Sequence, residues 1–383
     1  MLTPVSLPFL RRGAVPLELP TNHRVPVSWI REYSCAPIRW RTVNEILPPD
    51  SAAAADVSAL REELLQYKRI TQTVRKQRKG VWGGNILGIT PAKAQDIKDV
   101  GTVASYRHLV ELGLPSDDRV FRAANRIFYR LLSRDDDPAL LFEYKKGAKA
   151  NFELAEWARQ QFQEGAVAAL AQAGHMEDPR VRGGAHKIAT AISTFLRSEA
   201  AEKPIIRRAG KNILHPDAYP PTVYSVAMLA YMPSMQRERA GFADRLGAFV
   251  SQLATKRTYV IQLGRRGIQP SHLLLGDPLQ ASAAGVPKDL PLALHWIELL
   301  VRLNLLDSSP MAQRILTRLL KECNAAGVWS PKNLRALPRS PSKLADFAFP
   351  LELDGTTIER RQSDVTFRLA LIAKLAGWDL EYN

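Results

Sequence analysis

Two stretches of this chain stop a helical pattern in the same way. Gln77-Arg78-Lys79-Gly80-Val81-Trp82-Gly83-Gly84 ends a long amphipathic run with a sharp turn and, at once, a large aromatic. Asn324-Ala325-Ala326-Gly327-Val328-Trp329 repeats the device near the other end. A helix, a Gly-x-Trp turn and a further helix cannot bury their apolar face alone, so each unit needs a neighbour of its own kind. An architecture of paired helices follows. No strand pattern alternates with helix in a βαβ rhythm, so the expected class is all-α.

In chain order, Pro4, Pro8, Pro16, Pro20 and Pro26 forbid a long helix. Residues 1–26 are therefore expected as an extended arm and residues 27–383 as a single domain. Val27–Tyr33 reads as a short helix, and Pro37 suits the start of the next, whose apolar stripe (Ile38, Trp40, Val43, Ile46, Leu47) stops at Pro48-Pro49. Residues 51–55 read as a linker, and Asp56 as the N-cap of a helix carrying Leu60, Leu64, Tyr67 and Val74. Further helices are expected over 100–113, 120–132, 151–173, 181–200, 235–254, 291–305, 311–323 and 364–377, with another starting at Thr222. Residues 258–263 read as a short strand or buried extended piece, and Arg265-Arg266-Gly267 as loop. About six helix pairs joined by short turns give a solenoid or a closed ring, and the uneven loop lengths favour the ring.

The formal net charge is +15. That balance favours an anionic small molecule or a polyanion as partner, nucleic acid included, although the charge is spread along the chain. Arg119, Arg122, Arg126 and Arg130 recur at helical spacing and read as a solvated face, and Asp135-Asp136-Asp137-Pro138 as a helix start. Two cysteines, Cys35 and Cys323, are too few for a disulfide framework and fit reduced thiols. The first twenty residues lack the build of a signal peptide, and no run approaches about 18 apolar residues. A cytoplasmic protein with no transmembrane segment is expected.

Pro37-Ile38-Arg39-Trp40-Arg41-Thr42-Val43 resembles the opening of bacterial squalene-cyclase-like and prenyltransferase-like α/α-toroid proteins. The turn at Gln77, Gly80, Trp82 and Gly83 is similar to the one that follows that opening, though one residue shorter before the glycine. Gly101-Thr102-Val103 through Leu114-Pro115, and Asp364-Val365-Thr366-Phe367 through Gly377-Trp378, resemble further toroid repeats. The resemblance covers 36–135 and 290–380. It implies an α/α toroid, a closed ring of about six helix hairpins around a funnel. It does not bring the chemistry with it. The Asp-x-Asp-Asp acid of class II terpene cyclases has no counterpart beyond the helix-start triplet, and no zinc site of usable spacing accompanies Cys323. No metal or cofactor is expected.

The densest polar segment is Ile205–Pro221. Asn212, His215, Tyr219 and Tyr224 are the candidate catalytic residues, with Arg207, Arg208, Lys211, Arg265 and Arg266 as candidate ligand-binding cations. A lyase acting on an acidic polysaccharide uses such an inventory: a residue neutralising the carboxylate, a His or Tyr taking the proton beside it, and a Tyr donating to the leaving oxygen. The expected function is binding of an anionic or amphipathic ligand or partner through the funnel and its basic rims, without class II cyclase chemistry. The alternatives are an enzyme using the funnel, of isoprenoid-transferase, cyclase-like or acidic-polysaccharide lyase type, and a nucleic-acid-binding helical repeat.

Overall fold

The computed structural model describes residues 19–49, 57–88, 101–133, 137–255, 257–269, 272–341 and 344–383. Residues 1–18 of the expected arm, the linker at 51–55, the Asp56 cap, and Asp135 and Asp136 lie outside the described residues. The described part of the arm enters as strand β1 (Asn22–Val25), followed by α1 (Val27–Tyr33) and α2 (Ala36–Arg41). Pro37 occupies the first turn of α2, and a π-helical turn, Thr42–Ile46, extends it. The helix expected from Asp56 is broken in two, α3 (Val57–Gln66) and α4 (Lys68–Lys76). Tyr67 between them is extended, and its hydroxyl donates to Leu351 O at 2.7 Å. A contact almost the whole chain away thus interrupts a locally continuous helical pattern.

Next come α5 (Thr102–Glu111), α6 (Arg119–Ser133), α7 (Lys145–Ala148), α8 (Phe152–Gln172), α9 (Pro179–Phe195) and α10 (Glu199–Glu202). The four arginines of α6 are exposed, and Arg130 pairs with Asp137, which also accepts from Ala139 N as a helix cap. Strands β2 (Ile205–Arg208) and β3 (Lys211–Leu214) form a hairpin before α11 (Val223–Ala230). Thr222 starts α11 with a capping box, its hydroxyl accepting from Ser225 N while the Ser225 hydroxyl accepts from Thr222 N. The helix expected over 235–254 is two, α12 (Pro233–Glu238) and α13 (Ala240–Val250), separated at Arg239. Strands β4 (Ile261–Leu263) and β5 (Arg266–Ile268) form a second hairpin, then α14 (Leu290–Arg302), α15 (Pro310–Lys321), α16 (Ile358–Leu375) and β6 (Asp379–Tyr382) complete the order. The protein is mostly helical, as expected, but not all-α: three two-stranded sheets are present among the described residues.

The two Gly-x-Trp corners are built alike. Gly80 and Gly327 adopt φ of 87° and 88°, the left-handed region that glycine enters without steric cost. Each tryptophan N–H donates to a threonine hydroxyl on a helix beyond the corner, Trp82 to Thr102 of α5 and Trp329 to Thr366 of α16, both at 3.1 Å. Each indole reaches back to the helix just ended, Trp82 Nε1 to Thr73 O at 2.7 Å and Trp329 Nε1 to Glu322 Oε2 at 3.0 Å. The corners therefore pin one helix end to the flank of a later helix.

Helix contacts link α5 to α8, α8 to α11, α11 to α14, α14 to α16, and α16 to α2 and its π turn. Arg41 of α2 reaches Glu111 of α5 at 2.8 Å. Further contacts join α3 to α2, α4 to α5, α6 to α8, α13 to α9 and α15 to α14. Strand β1 pairs in parallel with β6 from Asn22↔Asp379 to Val25↔Tyr382. Every residue of α11 is buried, as is every residue of α16 from Gln362 to Ala373, because these helices have neighbours on all sides.

Candidate ligand site

The first turns of α8 present Glu153, Glu156, Trp157, Gln160 and Gln161 at spacings of three and four, so the five share one face. Opposite them stand two hairpins. The first folds over Ala209-Gly210, both at positive φ, the pairing that a two-residue hairpin loop requires. The second folds over Gly264-Arg265, with Gly264 at φ 59°. The hairpins are stitched together by Leu214 N donating to Val260 O at 2.8 Å and Val260 N donating to Asn212 O at 3.2 Å. Between the helix face, the hairpins and the 215–220 segment lies a cavity of about 570 Å³.

Three of the candidate residues, Arg208, His215 and Tyr219, line that cavity. His215 is half-buried. Its Nδ1 accepts from Asp217 N at 3.2 Å, which leaves Nε2 as the protonated position of the neutral ring. Tyr219 donates its hydroxyl to Glu164 Oε1 at 2.6 Å. Thr222 donates to the other oxygen of the same carboxylate. Burial pushes Glu164 up to about 7 even though both hydroxyls favour its ionised form. Burial, and then the Glu164 charge, hold the Tyr219 phenol well above its usual value.

The other candidates sit elsewhere. Asn212 lies on β3 and spends its amide on Thr258 O at 3.2 Å, tying the hairpins together. Tyr224 is buried on α11 with its ring 5.9 Å from that of His272, and it does not line the cavity. Arg207 and Lys211 are exposed on the first hairpin. Arg265 and Arg266 are exposed on the second, a strand-bearing hairpin where the sequence reading expected loop. Of Arg207, Arg208, Lys211, Arg265 and Arg266, Arg208 alone lines the cavity, whose wall also includes Glu153 and Glu156.

Glu164, Gln161 and His272 were missed in the sequence. His272 is buried, with Nε2 hydrogen-bonded to Gln161 Oε1, and burial lowers it to about 4. The local sign of each hairpin is a single glycine in its loop, Gly210 and Gly264, with charged residues rather than an alternating pattern beside it.

A second concentration of polar groups lies among α2, α5, α14 and α16. Arg368 donates to Glu111 at 2.6 Å and to Glu298 at 2.8 Å. Arg41 bridges Glu111 and Glu45, and Arg302 pairs with Glu298 at 2.9 Å. Burial alone would raise Glu111, but Arg368 and Arg41 overcome it and hold the carboxyl well below the usual range.

Among the described residues, no group of three or more His, Cys, Asp or Glu side chains has metal-binding geometry. No described helix is long and apolar enough to cross a membrane. No protein family, curated protein or solved structure matches the chain.

Proposed function

We propose that this chain is an α/α-toroid protein, similar in plan to the terpenoid-cyclase fold, that binds a hydroxylated anion of the sugar-acid type in the cavity beneath its two hairpins. The succession of helix contacts from α5 to α16 and α2, the β1–β6 pairing and the twin Gly-x-Trp corners support the toroid plan. One observation carries the ligand reading. A single cavity combines a cation, Arg208, aromatic surface from Trp157 and Tyr219, and the hydroxyl-reading groups Glu156, Gln160 and Gln161. An isoprenoid chain would leave those carboxylate and amide groups unsatisfied on its burial.

Binding is favoured over catalysis by proton placement. Tyr219 is committed as a donor to Glu164, and the Nδ1 lone pair of His215 is committed to Asp217 N. Neither is set to take a proton from a substrate. An acidic-polysaccharide lyase is the second reading, and Glu164, raised to about 7 one hydrogen bond behind the cavity wall, is the observation in its favour.

The test is a titration of intrinsic fluorescence with tetragalacturonate, geranylgeranyl diphosphate and single-stranded oligouridylate, on the wild type and on Arg208→Ala. The expected outcome is saturable binding of tetragalacturonate, weakened about tenfold or more by Arg208→Ala, the loss of one charge-assisted contact. Preference for the diphosphate overturns the ligand class. Preference for the oligonucleotide with a steep salt slope installs the nucleic-acid reading. Growth of near-ultraviolet absorbance from an unsaturated sugar establishes the lyase.

A further inference from the structure

Arg107, on α5, is almost completely buried. Its Nε donates to Gln172 Oε1 at 2.6 Å, and its guanidinium carbon lies 4.0 Å from the centroid of the Phe347 ring. Its Nη2 has no hydrogen-bond partner among the described residues. A guanidinium does not shed its proton in a protein, so this is a fixed positive charge with an unanswered donor in a region of low dielectric. Leaving such a group unpaired is costly.

The neighbouring carboxylates cannot answer it. Those close enough to act on Arg107 are Glu111 and Glu298. Glu111 Oε1 accepts from Gln172, and its Oε2 accepts from both Arg41 and Arg368. Glu298 Oε1 accepts from Arg302 and Tyr231, and its Oε2 accepts from Arg368. Arg41, Arg302 and Arg368 take up the three carboxylates Glu45, Glu111 and Glu298 in direct ion pairs. Arg107 forms none of these pairs, so its own charge is left without a carboxylate partner among the described residues. Beside it His295 meets the edge of the same Phe347 ring, centroids 5.1 Å apart, and its Nδ1 likewise lacks a partner among the described residues.

We propose that Arg107, with His295 beside it, binds one compact monovalent anion, a halide or a small carboxylate, which neutralises the unpaired charge of Arg107. This site is separate from the cavity under the hairpins and stands or falls without it. A water molecule would satisfy the donor but not the charge, and this makes anion identity the deciding variable.

The experiment follows thermal unfolding of the full chain at constant ionic strength. Gluconate, too large to enter, is replaced stepwise by chloride in one arm and by formate in another. The proteins are the wild type, Arg107→Met, and Arg122→Met as a control for net charge on an exposed face. The expected result is a saturable rise of about 2 °C or more in wild type and Arg122→Met, and none in Arg107→Met. A rise with chloride alone identifies a halide site, and a rise with formate identifies a carboxylate site. A flat wild-type response in both arms, or the same rise in all three proteins, overturns the proposal. If Arg107→Met does not fold, bromide-soaked wild-type crystals decide by anomalous scattering. A bromide within hydrogen-bond reach of Arg107 Nη2 supports the site, and its absence there overturns it.

Discussion

At Glu164 a carboxyl has been carried into the interior with two hydroxyls aimed at it. Its folded value of about 7 lies above the ordinary 4.5, so the folded protein keeps a proton that the unfolded chain releases. Stability therefore falls as pH rises through the window from about 4.5 to 7. Full conversion of that shift gives about 3 kcal/mol as an upper limit. Glu164→Gln keeps an acceptor for Tyr219 and offers the Thr222 hydroxyl a donor, while removing the titration. Comparing urea midpoints of the two proteins at pH 5 and pH 8 should show the variant gaining on wild type by about 1–3 kcal/mol at the higher pH. An unchanged difference would mean that Glu164 ionises without penalty. In the sequence this residue looked like any charge in an Ala-rich helix. Its burial depends on Tyr219 and Thr222, more than fifty residues away.

Among the elements, the corners were legible and the hairpins were not. A glycine two residues before a tryptophan at the end of a helical pattern is a local signal, and both corners formed where it stood. Strands of three or four residues are too short for a period of two to declare itself, so Ile205–Pro221 stands out in the sequence only as a dense polar segment. The long helix after Asp56 was over-read for the opposite reason. Its pattern is helical throughout, and at the break Tyr67 and Arg69 donate to the distant carbonyls of Leu351 and Pro350. The corners also give a prediction. A Cβ on Gly80 would sit 2.4 Å from Ala123 O, and one on Gly327 would sit 2.1 Å from Arg24 O, whereas one on Gly84 meets nothing within 4 Å. Gly80→Ala and Gly327→Ala should each lose about 2–4 kcal/mol in chemical denaturation, with Gly84→Ala within about 0.5 kcal/mol of wild type. Equal effects at all three positions would show that the corners are not tight.

Across the whole molecule, burial sets the response to acid. His23, His108, His272 and His295 are all lowered to about 4 by burial and are held neutral. Their stabilisation is complete above the unfolded value of 6.5 and is lost as pH falls from there through about 4, at most about 1.4 kcal/mol per histidine per pH unit. Glu164 and Asp364, raised to about 7 and about 6, act in the opposite sense over part of that range. Four groups outweigh two, so the urea midpoint should fall steadily from pH 6.5 to 4.5. A midpoint that rises over that interval would contradict the burial of these histidines.

The amino-acid order by itself determined the helical character of the chain, the start of α1, the capping of α11 at Thr222 and the two tryptophan corners. Each depends on residues within a turn or two of one another, where backbone sterics and capping hydrogen bonds act. Only the tertiary structure decided that Arg41, Arg107, Glu111, Glu298 and Arg368 are interior groups, and that Arg208, His215 and Tyr219 meet one face of α8. Burial belongs to the assembled set of helices. A charge on α16 lies inside because α2, α14 and β1 cover it from different directions, and no local pattern records which neighbours will arrive.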